Sequence, residues 1–188
     1  GWTVLKDPLD DSSSRVNAIA NDGTAIGWAE NDWGFWEGRI WKDGEEVSMK
    51  SVASPGMIEV GQAMAITSDG RTVIGLEAIN EQYSVRSYRY DTQTGEFEIL
   101  DIYESCPPFD WFCWGETPFS AYDIADNGMI VGAMGTGGSR SAMLVDDVLG
   151  EQKLVEFLRG QGVINADDLA IVSGANKITS NGRHIAGW

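Results

Sequence analysis

The side chains in this 188-residue sequence that could do covalent or metal chemistry are few. There is one histidine, His184, and there are two cysteines, Cys106 and Cys113. A catalytic triad or a histidine-centred metal site would have to use His184, and nothing around it builds one. No Gly-x-Ser-x-Gly elbow places a serine nucleophile on a strand-to-helix turn, and no glycine-rich phosphate loop is present. Carboxylates are abundant, but they come as adjacent pairs: Asp10-Asp11, Glu45-Glu46, Asp146-Asp147 and Asp167-Asp168. Neighbours on a strand point to opposite faces, so such pairs do not make the facing acid and base of a glycosidase. A glycan-cleaving site would need carboxylates brought together from several distant segments. Calcium suits the charge balance, but the Asp-x-Asp-x-Asp-Gly spacing of a calcium loop is missing. The sequence therefore offers no catalytic residue, no resident cofactor and no metal set.

The two cysteines lie seven residues apart in the stretch Tyr103-Glu104-Ser105-Cys106-Pro107-Pro108-Phe109-Asp110-Trp111-Phe112-Cys113-Trp114. With a Pro-Pro turn between them and no other cysteine to choose, a Cys106–Cys113 disulfide is the expected pairing, which implies an oxidising compartment. The rival reading, a two-thiolate metal site, lacks its two further ligands. The stapled loop concentrates Phe109, Trp111, Phe112 and Trp114. Clustered aromatics of this kind stack on a sugar ring or anchor a protein partner; the plainer alternative is that they fold back over the core. Trp28, Trp33, Phe35, Trp36 and Trp41 pose the same choice near the start of the chain.

These candidates must be positioned by something, and the positioning elements are repeats. Four segments align: Val16-Asn17-Ala18-Ile19-Ala20-Asn21-Asp22-Gly23, Ala63-Met64-Ala65-Ile66-Thr67-Ser68-Asp69-Gly70, Ala121-Tyr122-Asp123-Ile124-Ala125-Asp126-Asn127-Gly128 and Ala175-Asn176-Lys177-Ile178-Thr179-Ser180-Asn181-Gly182. Each carries a small apolar residue seven before the glycine and an isoleucine four before it. Each runs on into a short apolar strand closed by a second glycine: Ile26-Gly27, Ile74-Gly75, Val131-Gly132 and Ala186-Gly187. Asp-Gly or Asn-Gly between alternating strands signals a β-hairpin, with a type I′ turn as the expected geometry. Gly23, Gly70, Gly128 and Gly182 are thus equivalent positive-φ turn positions. The isoleucine is expected to enter a core, and the closing glycine to admit a neighbouring backbone.

Third strands are expected at Arg39–Gly44, Ser87–Asp91 and Ser141–Asp146. Fourth elements follow at Val47–Met49, Phe97–Leu100 and Leu154–Leu158, the last partly helical. Units of about 40–60 residues with four strands each have the size of a propeller blade. The expectation is a single all-β, propeller-like domain over 1–188, with four mostly antiparallel repeats at about 15–52, 61–102, 119–158 and 173–188. Residues 1–9 are expected to add the outer strand Trp2-Thr3-Val4-Leu5 to the last repeat. Two segments break the pattern: the insertion 103–118, and residues 151–172, which read as a short helix, a glycine turn and a second helical turn capped by Asn165. Three arrangements fit: part of a larger propeller or open array, a compact four-unit closure, or another all-β packing.

The recurrent Ile-x-x-x-Gly-x-x-(Val/Ile)-Gly hairpin with its aromatic-rich third strand resembles the HAF-type extracellular repeats of bacterial proteins. The stretch from Leu158-Arg159-Gly160-Gln161-Gly162-Val163 to Ile178-Thr179-Ser180-Asn181-Gly182-Arg183-His184-Ile185-Ala186-Gly187 is most similar to the final repeats of that group. The resemblance covers about three quarters of the chain and omits the cysteine insertion. It implies a propeller-like, secreted or surface protein and supplies no catalytic residue.

Charge agrees with an exterior location. Lys and Arg total 13 against 29 Asp and Glu, a net charge of −16. Such a surface repels nucleic-acid phosphates and anionic lipid, and no apolar stretch reaches the roughly 18–20 residues of a membrane helix. No signal peptide stands at Gly1, so export, cell-surface or periplasmic, would rest on a signal removed or lying upstream. The functional expectation is non-enzymatic: adhesion, scaffolding or self-assembly through a protein partner or through exposed strand edges. A carbohydrate-binding or carbohydrate-cleaving propeller using the aromatic insertion is the alternative.

Overall fold

A computed structural model describes residues 13–31, 34–49, 61–79, 84–100, 102–104, 117–135, 140–163 and 172–188. The chain divides into two compact units, Gly1–Ile99 and Leu100–Trp188. The described residues are all-β apart from one short helix.

The first unit holds two four-stranded antiparallel meanders. One runs β1 (Ser14–Ile19), β2 (Ala25–Glu30), β3 (Trp36–Lys42) and β4 (Glu45–Ser48); the other β5 (Gln62–Ile66), β6 (Thr72–Ile79), β7 (Ser84–Asp91) and β8 (Phe97–Leu100). The second unit holds a five-stranded sheet, ordered β13-β12-β11-β10-β9, and a two-stranded sheet. The strands of the former are β9 (Tyr103–Glu104), β10 (Thr117–Ile124), β11 (Ile130–Met134), β12 (Ser141–Asp146) and β13 (Gly150–Lys153). Helix α1 (Leu154–Gly160) follows, and β14 (Ala175–Ile178) pairs with β15 (Ile185–Gly187). No described sheet closes on itself.

Each repeat opens with the same bulged hairpin. The register slips by one residue between Val16 and Ala18, Ala63 and Ala65, Ala121 and Asp123, and Ala175 and Lys177. Asn17, Met64, Tyr122 and Asn176 are therefore equivalent bulge residues. Opposite each bulge sits the closing glycine, and it cannot be anything larger. A Cβ on Gly27, Gly75, Gly132 or Gly187 would run into the carbonyl oxygen of Arg15, Gln62, Ser120 or Gly174 respectively. The bulged strand crosses at that point with no room for a side chain.

The turns correct one expectation. Gly23, Gly70, Gly128 and Gly182 all have positive φ, but the Asp or Asn before each does not. Each glycine N–H donates to the carbonyl three residues back, on Ala20, Thr67, Ala125 or Thr179. This is a type I turn followed by a left-handed glycine, not the type I′ turn that Asp-Gly suggests. The acidic or amide side chain explains the choice. It folds back to accept the backbone N–H two residues on, as Asp22 Oδ1 does from Thr24 and Asp69 Oδ1 from Arg71. A type I′ turn does occur at Asp43-Gly44, where φ is 52° and 83° between the paired Lys42 and Glu45.

The hairpins come in two alternating kinds. In the first and third repeats Ala20 and Ala125 precede the turn, and their N–H groups bond Thr24 and Met129. In the second and fourth a threonine takes that place and an arginine is added after the glycine, giving Thr67-Ser68-Asp69-Gly70-Arg71 and Thr179-Ser180-Asn181-Gly182-Arg183. The Thr67 and Thr179 hydroxyls donate to Asp69 and Asn181 and accept from the N–H of Thr72 and His184. Each unit is thus one pair of unlike repeats, and the chain repeats the pair.

Within a unit the second repeat stacks on the first. In the first unit β5 lies against β1, β2 and β3, and Ile26, Ile40, Met49, Ala63, Val73 and Tyr88 form the core between the sheets. Tyr88 stacks on Phe97 with ring centroids 4.9 Å apart and donates to the Gln62 carbonyl. Burial in this apolar site raises the Tyr88 hydroxyl pKa far above its ordinary value, with buried Glu77 adding to the shift. In the second unit β14 lies against β10 and β11, and Val131, Ala142, Leu144, Leu154, Ala175 and Ile178 make the core.

Backbone bonds tie the stacked turns identically. The Asn21 N–H donates to the Ser68 carbonyl at 2.9 Å, and the equivalent Asp126 N–H to the Ser180 carbonyl at 2.8 Å. A side chain near the bulge adds a second tie. Asn17 Nδ2 donates to the Ala63 carbonyl, and Asp123 Oδ2 accepts the Ile178 N–H at 2.9 Å.

Two further expectations change. The fourth strand of the third repeat is Gly150–Lys153, and Leu154–Gly160 is wholly helical rather than a fourth strand. The helix stops where Gly162 turns left-handed (φ 72°) and the Val163 N–H closes on the Leu158 carbonyl. The second helical turn and Asn165 lie outside the described residues, as does the strand at Trp2–Leu5. Ile19 does not enter a core. It is 69% exposed, whereas its equivalents Ile124 and Ile178 are buried.

Candidate aromatic binding surface

The aromatic insertion is rooted in the sheet: Thr117 and Pro118 of β10 pair with Glu104 and Tyr103 of β9. Cys106, Cys113, Phe109, Trp111, Phe112 and Trp114 lie outside the described residues. The second aromatic group, on β2 and β3, is described except for Trp33.

Cross-strand register builds this surface. Trp28 opposes Gly38, and Glu30 opposes Trp36. All four residues share one face of the sheet. Because Gly38 has no side chain, the Trp28 and Trp36 rings close over it and stack, with centroids 4.8 Å apart and planes 28° from parallel. The connecting turn is held by the Asn31 N–H donating to the Phe35 carbonyl, the Gly34 N–H to the Asn31 carbonyl and the Phe35 N–H to Asn31 Oδ1. Gly34 takes φ 81° there, with the Glu30 carboxylate beside it. Trp36 stays 51% exposed and Phe35 59% exposed. The hairpin thus presents two large aromatic side chains to solvent, with a carboxylate at their side.

The opposite face of the same sheet is buried. Arg39 lies between Glu37 and Glu46, Nη1 to Oε2 at 2.7 Å and Nε to Oε1 at 2.6 Å, and Trp41 is buried beside them. Glu46, one of the adjacent acidic pairs, is therefore an ion-pair partner. Of the other pairs, Asp146 Oδ1 accepts the N–H groups of Val148 and Leu149 to shape the β12–β13 turn, and Asp10-Asp11 and Asp167-Asp168 lie outside the described residues. Asp91 does similar work between β7 and β8. It accepts from the Thr94 and Gln93 N–H groups and pairs with Arg71, and the Thr94 bond followed by that ion pair lowers its pKa to about 2.

His184 is exposed, and its backbone, not its ring, completes the Thr179 turn. Among the described residues no three His, Cys, Asp or Glu side chains are grouped to hold a metal ion, and no helix is long and apolar enough to cross a membrane. The signal that points to the Trp28–Trp36 stack was present in the sequence, since hairpin pairing about Asn31–Phe35 places Gly38 opposite Trp28.

No protein-family model matches the chain, and no characterised protein matches it.

Proposed function

We propose that this chain is a non-enzymatic β-repeat scaffold, of the propeller type and similar to HAF-type extracellular repeats, that acts outside the cytoplasm in adhesion, scaffolding or self-assembly. The observation that carries this reading is the Trp28–Trp36 stack with Phe35. Phe35 and Trp36, both about half exposed and adjoining the Trp28 ring, make a contiguous apolar patch on an otherwise acidic protein, and such patches mark contact surfaces. Four equivalent hairpins, with antiparallel meanders stacked face to face, support the repeat-scaffold part of the reading. The propeller part draws on the four-stranded meander found in both repeats of the first unit. The acidic surface and the Cys106/Cys113 pair favour the exterior.

The test is partner capture from the native envelope or medium by wild type, Trp36→Ala and Trp111→Ala, with thermal unfolding run beside it. Loss of capture at unchanged stability supports the reading; capture indifferent to both substitutions overturns it. A second reading, glycan binding, is favoured by the Glu30 carboxylate opposite Trp36, because a sugar needs an apolar ring for its C–H face and an acceptor for its hydroxyls. A glycan array with wild type and Trp36→Ala separates the two.

A further inference from the structure

The first sheet carries the same cross-strand pair twice, once on each face. On one face Trp41 of β3 stands opposite Glu46 of β4. On the other Trp36 of β3 stands opposite Glu30 of β2. The first pair already holds an arginine. Arg39 lies two residues before Trp41 and therefore on the same face, with Nη1 on Glu37 at 2.7 Å and Nε on Glu46 at 2.6 Å. Arg39 and Trp41 are both buried.

The second pair has the tryptophan and the carboxylate without the arginine. Trp36 stacks on Trp28, so one indole face meets its neighbour and the other is turned to solvent. Glu30 Oε1 stands beside the Gly34 turn, and among the described residues no ion pair takes it. The chain's own cation on this face does not fill the place. Arg15 of β1 opposes Trp28, so it lies on the side of the stack away from β3, where it is exposed and in no described ion pair.

We propose that this surface takes an arginine side chain of a protein partner, its guanidinium lying on the open face of Trp36 and its N–H edge on Glu30. The proposal rests on the reading of the Trp28–Trp36 stack as the contact surface and names the chemistry it recognises. An indole face is the negative side of the ring quadrupole, so it attracts a cation laid over it. A guanidinium is flat enough to stack and still keeps donors at its edge for a carboxylate; an ammonium meets only one of the two demands well. The net charge of −16 draws a basic segment in from a distance. A neutral sugar gains nothing from that field or from the charge on Glu30.

Indole N–H resonances of nitrogen-15-labelled protein, followed at about physiological ionic strength, test this. N-acetyl-arginine amide should shift the Trp28 and Trp36 signals along a saturable curve. Its neutral isostere, N-acetyl-citrulline amide, and methyl glucoside should leave them in place, and N-acetyl-lysine amide should bind about threefold or more weakly. Glu30→Gln should weaken arginine binding about threefold or more, Trp36→Ala should abolish the response at Trp28, and Arg15→Gln should leave binding intact. Thermal transitions check that each variant folds, and the comparison of probes on wild type needs no variant. Citrulline equal to arginine, a response to methyl glucoside instead, or indifference to Glu30→Gln overturns the proposal. If arginine does not bind while partner capture is still lost in Trp36→Ala, the arginine assignment alone falls and the contact surface stands; capture indifferent to Trp36→Ala removes both.

Discussion

The Asp22 carboxylate of the first repeat lies against Gly70 of the second, so close that a Cβ on Gly70 would stand 2.8 Å from Asp22 Oδ1. The second unit reproduces the relationship with an amide: a Cβ on Gly182 would stand 3.2 Å from Asn127 Nδ2. The side chain that shapes one turn is also the surface on which the next turn rests. Asp22 holds its place through the Thr24 N–H and hydroxyl, with Lys42 Nζ at 3.2 Å. Those bonds, the Thr24 backbone first, keep its pKa below the usual carboxylate value.

This contact ranks substitutions at otherwise equivalent turn glycines. Gly23 has φ 86° and open space where a Cβ would go. Gly23→Ala should therefore cost only the backbone strain, about 1 kcal/mol. Gly70→Ala adds the collision with Asp22 and should cost roughly 2–3 kcal/mol, with Gly182→Ala between them. Urea denaturation of the three variants checks the order, and equal midpoints would show that Asp22 yields freely.

The polar ties between stacked repeats give a second prediction. Asp123 Oδ2 accepts the buried Ile178 N–H, and Lys177 Nζ stands 3.6 Å from Oδ1. The equivalent residue in the first unit is Ala18, packed against that unit's core. Asp123→Ala leaves the Ile178 N–H without its acceptor and should cost about 1–3 kcal/mol. The reciprocal Ala18→Asp places a carboxylate against an apolar cluster and should be the more damaging change. Hydrogen exchange at Ile178 reads the first effect locally: its protection should fall in Asp123→Ala while that of Val131 changes only with global stability.

How much of this was written in the sequence depends on what each residue had to satisfy. The four hairpins were legible because a bulge and a closing glycine are local demands, met by the same spacing wherever they occur. The turn type was misjudged because Asp-Gly reports tolerance for positive φ, while the Asp side chain bonding two residues ahead decides which turn forms. The alternation of repeat kinds was also visible, in Thr67 and Thr179 against Ala20 and Ala125, with an extra arginine after each threonine-type turn. The place of Ile19 was not legible, because its side chain is like that of Ile178, and what buries Ile178 is the packing of β14 against β10 and β11, which the local sequence does not announce. The Cys106–Cys113 insertion has no repeat to copy, so its chemistry stays with its own residues.

Acid should weaken the turn between β7 and β8. Asp91 has its pKa lowered to about 2 by the Thr94 N–H and then by Arg71. A depressed folded pKa contributes stability that is complete above the unfolded value near 4 and disappears as pH falls toward the folded one. Asp69, held by the Thr67 hydroxyl and then the Arg71 N–H, is depressed in the same direction. Between about pH 4 and 2 the stability difference between wild type and Asp91→Asn should therefore shrink, because the wild-type carboxylate is being protonated while the amide does not titrate. Thermal unfolding of both proteins across that range checks the sign, and a constant difference would show that the ion pair and cap contribute nothing.

The two tryptophans of β3 should separate binding from folding. Trp41 is 3% exposed on the face that carries the Arg39 ion pairs, whereas Trp36 stacks on Trp28 with half its surface in solvent. Trp41→Ala empties a large buried volume and should cost about 3–5 kcal/mol. Trp36→Ala loses one stacking contact, about 0.5–1.5 kcal/mol, since the backbone turn at Asn31–Phe35 is held by bonds that do not involve the ring. Binding should follow the reverse order. Trp36→Ala should weaken capture of the partner by about 2 kcal/mol or more, the size of an interface hot spot, while a folded Trp41→Phe protein should bind as wild type does. If Trp36→Ala instead unfolds the first unit, or binds unchanged, the exposed stack belongs to the fold and the contact surface must be sought elsewhere.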